Sequence, residues 1–135
     1  MKDFFECLVE YLLSINDLQE VIGNKLYPNI LPQESSLPAI VYTPISASYD
    51  ESLQGSTGFV RQVVQFSIHD TTFGKARQAS RIVKAILQDF RGDMCGLFVQ
   101  ATHILSDLSI DRNSKKSFDV DEYTSVLEFS FEYTE

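Results

Sequence analysis

His69 and His103 are the side chains best suited to proton transfer or metal ligation near neutral pH, and they are the two histidines of the chain. Neither belongs to a His-x-x-x-His or Cys-x-x-Cys set, and Cys7 and Cys95 stand far apart, so a zinc site would need unrelated loops to converge. The histidines therefore read as strand-borne residues and the cysteines as reduced, mostly buried thiols. Residues 111–122 approach a calcium loop, with oxygen ligands at Asp111 and Asn113 and a carboxylate at Glu122. Lys115 and Lys116 stand where that loop requires a carboxylate and a glycine, which excludes it. Residues 55–58, "GSTG", have the spacing of a single-strand RNA clamp, but that clamp joins two helices in a basic setting and this run lies between strand patterns. Ser56 and Thr57 lack an activating His and Asp pattern, and the chain has no Gly-x-Ser-x-Gly elbow or phosphate-binding Gly-Lys-Ser run. With no nucleophile and base to name, the sequence points to a non-enzyme with no cofactor and no metal.

Charge narrows the partners. Eleven basic against nineteen acidic side chains give a net charge of -8 in 135 residues. Such a field repels nucleic acid and anionic lipid, so no sequence-specific nucleic-acid binding and no membrane association are expected. No apolar run approaches the length needed to cross a bilayer, and Asp3, Glu6 and Glu10 interrupt the N-terminal apolar segment as a secretory signal would not tolerate. A cytoplasmic protein is expected. The 44% hydrophobic composition and the length fit one domain, residues 1–135.

The elements that would position these residues follow from periodicity. Phe4, Phe5, Leu8, Val9, Leu12 and Leu13 form a helical stripe. Asn16 or Asp17 is expected to cap a short second turn that ends at Gly23. Pro28, Pro32 and Pro38 then make a stiff extended strap from helix to sheet. Residues 39–49 and 59–69 read as strands, joined by a polar loop at 50–58. A long helix over about residues 72–91, capped by Thr71 or Thr72, carries its apolar stripe from Phe73 to Phe90 and is stopped by Gly92. Residues 97–105 form a third strand, residues 106–122 a charged loop, and Leu127, Phe129, Phe131 and Tyr133 alternate in a closing strand. The pattern predicts an α+β, two-layer sandwich. Its antiparallel or mixed sheet has about four main strands, with the N-terminal helix and the long helix packed on one face.

A two-layer domain leaves the other sheet face open, and Arg61, Gln65, Glu128, Ser130 and Glu132, with Ser67, are predicted to populate it. Alternation alone explains these residues as a solvated face; as a site they form a candidate assembly surface. Lys75, Arg77, Arg81 and Lys84, on the polar side of the long helix, are either solubilising or a docking face for an acidic partner. The two polar loops, with Asp50, Glu51, Arg112, Lys115 and Lys116, are candidate mobile interface loops, expected to become ordered on assembly.

The order of features resembles the tail-completion or tail-terminator (head-to-tail joining) proteins of long-tailed phages and prophages. Val21, Gly23, Tyr27 and Pro28 are similar to that family's hydrophobic-x-Gly and Tyr-Pro step. Leu37, Pro38, Ala39, Ile40, Val41 and Tyr42 are similar to its Leu-Pro-x-hydrophobic-Val-Tyr strand entry. Gly58 with the 59–68 strand, Thr72 and Ala76 at the long helix, and Leu127, Glu128, Phe129 and Tyr133 at the closing strand follow in the family's order. Residues 106–122 are longer and more charged than that pattern, and Glu132 stands where a second large aromatic would fall. The resemblance implies a non-enzymatic structural protein. It would form a hexameric ring that caps the tail tube and joins it to the head connector, with the major tail-tube and head-completion proteins as partners. It further implies assembly in the host cytoplasm, a final place at the virion neck or tail end, and an acidic lumen; on the wet sheet face, Glu128 and Glu132 are expected to contribute to that lumen or to subunit contacts. From a different class, a small dimeric binding or regulatory module with an exposed sheet face fits the same residues.

Overall fold

A carboxylate just ahead of an apolar stripe starts the first helix. In the computed structural model, which describes residues 3–32, 35–111 and 123–135, α1 is Phe4–Leu13. Glu6 N–H donates to Asp3 Oδ1 at 2.8 Å and Asp3 N–H donates to Glu6 Oε1 at 3.0 Å, so each residue satisfies a donor that the helix start leaves free. Phe4, Cys7, Leu8 and Leu12 are its buried stripe. Helix α2, Asn16–Ile22, differs from expectation at its start: Ile15 is the capping position, no side chain caps it, and Asn16 and Asp17 lie inside the first turn. Gly23 ends it at φ 62°.

Six strands follow: β1 Leu26–Pro28, β2 Ala39–Ser52, β3 Gly55–Asp70, β4 Gly92–Met94, β5 Leu97–Asp111 and β6 Tyr123–Thr134. They lie in the order β1-β2-β3-β6-β5-β4. The β1–β2 pairing is parallel and the other four pairings are antiparallel. Between β3 and β4 runs the third helix, α3, Phe73–Leu87, whose Thr72 hydroxyl accepts from Lys75 N–H at 3.2 Å.

This architecture corrects the expected two-layer sandwich of about four strands. Among the described residues, the sheet is a six-stranded mixed half-barrel accompanied by three short helices. The two additional strands are three residues long, too short for alternation to register, and one of them hides in the proline strap as Leu26–Pro28. The main strands also outrun the helices. The 16 residues of β3 extend about 53 Å, whereas the 15 residues of α3 cover about 22 Å. The expected helix over 72–91 is correspondingly shorter. It stops at Leu87, Asp89 takes the positive φ of 61°, and Gly92 opens β4 instead of ending the helix. Phe90 leaves the helical path to pack on Tyr11, with ring centroids 5.0 Å apart.

The polar stretch 50–58 forms no open loop. The β2–β3 ladder continues through Glu51↔Ser56 to Ser52↔Gly55, and the turn is reduced to Leu53 and Gln54. Gly58, at φ 84°, lies so close to the chain's last residues that an added Cβ would stand 3.3 Å from Glu135 O. Likewise β5 continues to Asp111, so residues 106–111 are strand rather than the start of a charged loop.

Alternation in β6 places Leu127, Phe129, Phe131 and Tyr133 in the core opposite Phe66, Val64, Gln62 and Val60 of β3. Phe4 from α1 stacks on Tyr133 at 4.9 Å and tilts against Phe131 at 5.1 Å. Leu8, Leu12, Leu18, Ile22, Ala79, Val83 and Leu87 complete the helical side of the core.

Candidate assembly surface

The register places the remaining residues of β3 and β6 on the sheet's other face. Arg61 stands opposite Glu132, Val63 opposite Ser130, Gln65 opposite Glu128, Ser67 opposite Val126 and His69 opposite Thr124. Arg61, Gln65, Glu128, Ser130 and Glu132 therefore share one face of the sheet. Its charged centre is Glu132: Arg61 Nε donates to Glu132 Oε2 at 3.1 Å, and His103 Nε2, from β5 on the other side, lies 3.8 Å from the same oxygen. Ser130, one residue pair along, is buried, and its hydroxyl has no hydrogen-bond partner among the described residues. Glu128, flanked by Gln65 and by Ser106 of β5, is the second carboxylate of the surface.

The predicted docking face divides. Lys75 and Arg81 are exposed, and Arg81 borders a shallow groove with Asp17, Gln78, Ile82, Ala85 and Ile86. Arg77 and Lys84 turn back onto the sheet. Arg77 Nη1 and Nη2 reach the two carboxylate oxygens of Asp107 at 2.9 and 3.5 Å, and Lys84 Nζ reaches Oδ2 at 3.1 Å. Hydrogen bonding from Arg77 first, then from Lys84, holds the Asp107 carboxyl below its usual range, against the partial burial that would raise it. Asp107 was not a predicted site residue. Its signal was the apolar alternation of Ile104, Leu108 and Ile110, which continues the strand through "LSDLSI".

Of the candidate interface residues, Asp50 accepts a hydrogen bond from the Thr57 hydroxyl at 3.0 Å across the hairpin, and Glu51 is exposed opposite Ser56. Arg112, Lys115 and Lys116 lie outside the described residues, as does most of the 111–122 stretch weighed as a calcium loop.

His69 and His103 lie on different strands, opposite Thr124 and Ser130 respectively. His69 Nδ1 is 3.2 Å from the Thr124 hydroxyl. Among the described residues no three His, Cys, Asp or Glu side chains gather as metal ligands, and no helix is long and apolar enough to cross a membrane. A groove beside α1, bordered by Asp3, Phe5, Tyr49, Cys95, Phe98 and Tyr133, brings neither histidine to a carboxylate. Burial first, and then the nearby Glu135 carboxylate, push the Tyr133 phenol up to about 12, so it stays protonated and supplies no base.

Comparison with known proteins places this mixed sheet with its polar, charge-laced face: the chain is a phage tail structural protein. It belongs to the tail completion protein gp17 family, whose family model matches residues 6–130. Among solved structures, its fold is similar to that of a chain described as "Virion of native gene transfer agent (GTA) particle". The two share a TM-score of 0.76 and 14% identity over 98% of this chain and 95% of that one. No curated protein matches the sequence significantly.

Proposed function

We propose that the protein is a ring-forming component that caps the tail tube and joins the tail to the head connector, with the open sheet face as its assembly or lumen surface. The observation that carries this reading is the Arg61–Glu132–His103 cluster on that face, set in a member of a tail completion family. A fold shared with a chain from a gene transfer agent virion supports a place inside an assembled particle. Genome DNA must pass such a ring. A chain with a net charge of -8 lets a polyanion slide without sticking, because retaining phosphates requires cations to displace their counterions. Glu128 and Glu132 supply part of that acidic lining or of the contacts between copies. Lys75 and Arg81 remain the part of the helix face able to meet an acidic neighbour.

Complementation tests this reading. A phage lacking the gene is supplied with wild-type protein or with a Glu128→Lys, Glu132→Lys variant, and particles are counted by electron microscopy and by infection. Wild type restores joined heads and tails, and the charge-reversed variant fails in assembly or in DNA delivery. Full restoration by the variant removes the role assigned to this face. A native mass that stays two-fold at every concentration, in place of a six-fold ring, favours a dimeric module.

A further inference from the structure

The sheet's end strands, β1 and β4, are short and cover only part of their neighbours β2 and β5. β1 pairs with residues 40–42 of β2, and β4 pairs with residues 97–99 of β5. The outer edge of β2 over residues 43–52, and that of β5 over residues 100–111, therefore have no neighbouring strand among the described residues. Edges of this length present rows of unpaired N–H and C=O groups, which natural proteins blunt with charge or cover with a partner. Charge is confined to one end of each edge, Asp50 and Glu51 on β2 and Asp107 and Asp111 on β5; residues 43–49 and residues 100–106 include no Asp, Glu, Lys or Arg.

Each edge strand has two register irregularities, one at a polar residue (Asp50 of β2, Gln100 of β5) and one at an inserted apolar residue. Ile45 interrupts the β2 register between Pro44 and Ser46, and Leu105 interrupts the β5 register between Ile104 and Ser106. Both bulges fall at one transverse row, since Pro44 pairs with Val64, Val64 with Phe129 and Phe129 with Ile104. Ile45 is 48% exposed and Leu105 is 52% exposed, with Leu108 farther along β5 at 56%. The β2 bulge is a built feature: the buried Gln62 side chain donates to the freed Ser46 carbonyl at 2.9 Å.

Strand direction completes the match. Three antiparallel steps separate β2 from β5, so the two edges run in opposite directions. Rotating a second copy about an axis along the strands sets its β2 antiparallel to the first copy's β5, the pairing already used inside the chain. A stagger of about three or four residues, of the kind closed sheets adopt, carries β2 of the second copy clear of β4 and β5 of the first clear of β1. That stagger brings Ile45 toward Leu108 and Leu105 toward Ala47.

We propose that the free β2 edge, residues 43–52, of one copy pairs antiparallel with the free β5 edge, residues 100–111, of the next, with Ile45, Leu105 and Leu108 packed in the joint. The joint is heterologous, so its repetition closes a ring where the rotation between copies divides a full turn and otherwise builds an open filament. It rests on the ring-forming reading above and names the surface through which copies meet.

Ile45→Lys and Leu105→Lys variants, checked for a wild-type far-UV spectrum, are followed by sedimentation velocity across a dilution series. Each variant alone keeps one sound edge and sediments as a monomer where wild type is oligomeric. Mixed in equal amounts, the two recover dimers but no rings, because one sound β5 edge meets one sound β2 edge. If a lysine variant loses the wild-type spectrum, Ile45→Ser and Leu105→Ser take its place. Either variant assembling alone as wild type does overturns the joint and leaves the ring reading standing. A dimer formed by one variant alone overturns head-to-tail pairing. Wild-type protein that stays monomeric, both alone and with tail tubes, overturns the joint and the ring together.

Discussion

Asp107→Asn tests whether the basic residues of α3 hold the helix to the sheet. The substitution keeps the shape and removes the charge that Arg77 and Lys84 share at 2.9 and 3.1 Å. These side chains are 24–30% exposed, so solvent screening discounts the pairs well below fully buried ones. Two charge-assisted contacts at this depth are worth about 1–2 kcal/mol together. For a domain of 135 residues that lowers the melting temperature by about 3–7 °C. The sign with pH is fixed by the direction of the shift. A carboxyl held below its ordinary value of 3.8 contributes stability that is complete above that value and lost as pH falls through its lower folded value. Urea unfolding followed by circular dichroism therefore shows wild type more stable than the variant at pH 7, with the gap closing toward pH 3 and narrowing in high salt. Equal midpoints at pH 7, or a gap that persists undiminished in acid, would refute the clamp.

Asp3→Ala removes the reciprocal cap with Glu6 and costs about 1 kcal/mol of stability; amide exchange in the first turn of α1 should rise with it, and unchanged exchange would show that Phe4 packing alone holds that end. Gln62→Leu leaves the Ser46 carbonyl without its amide donor, at about 1 kcal/mol. Exchange in β2 around Ile45 is then expected to quicken, and identical exchange in variant and wild type would mean the bulge needs no such support.

The sequence was most legible where a periodic stripe met the core. The α1 stripe and the Leu127–Phe129–Phe131–Tyr133 alternation both appear as buried faces because burial selects one side chain in two or in three to four. β1 and β4 were invisible, since three residues carry no period and their place in the sheet comes from long-range pairing. Residues 50–58 and 106–111 read as loops because Ser, Asp and Gly dominate them. Strands that project past the core need no apolar alternation, and backbone pairing suffices. Period two put Arg61 and Glu132 in their strands with the polar side out, but that they face each other is a matter of register, which no single strand encodes. Helical spacing likewise grouped Arg77 with Lys84, while their shared partner Asp107 lay in a stretch whose polarity masked its strand.

The place of β6 has a consequence for how the chain is made. It is the last strand in sequence, yet it lies between β3 and β5 and joins the β1–β2–β3 half to the β5–β4 half. Its partners on β3 are no nearer in sequence than Asp70 and Tyr123. While residues are added at about 5–20 per second, both halves wait with their inner edges bare until residues 123–134 emerge. Closure of the sheet is then a late, long-range event of the slow-folding kind. A nascent chain stalled before Tyr123 presents two uncapped strands, β3 and β5, to any neighbour able to add to them.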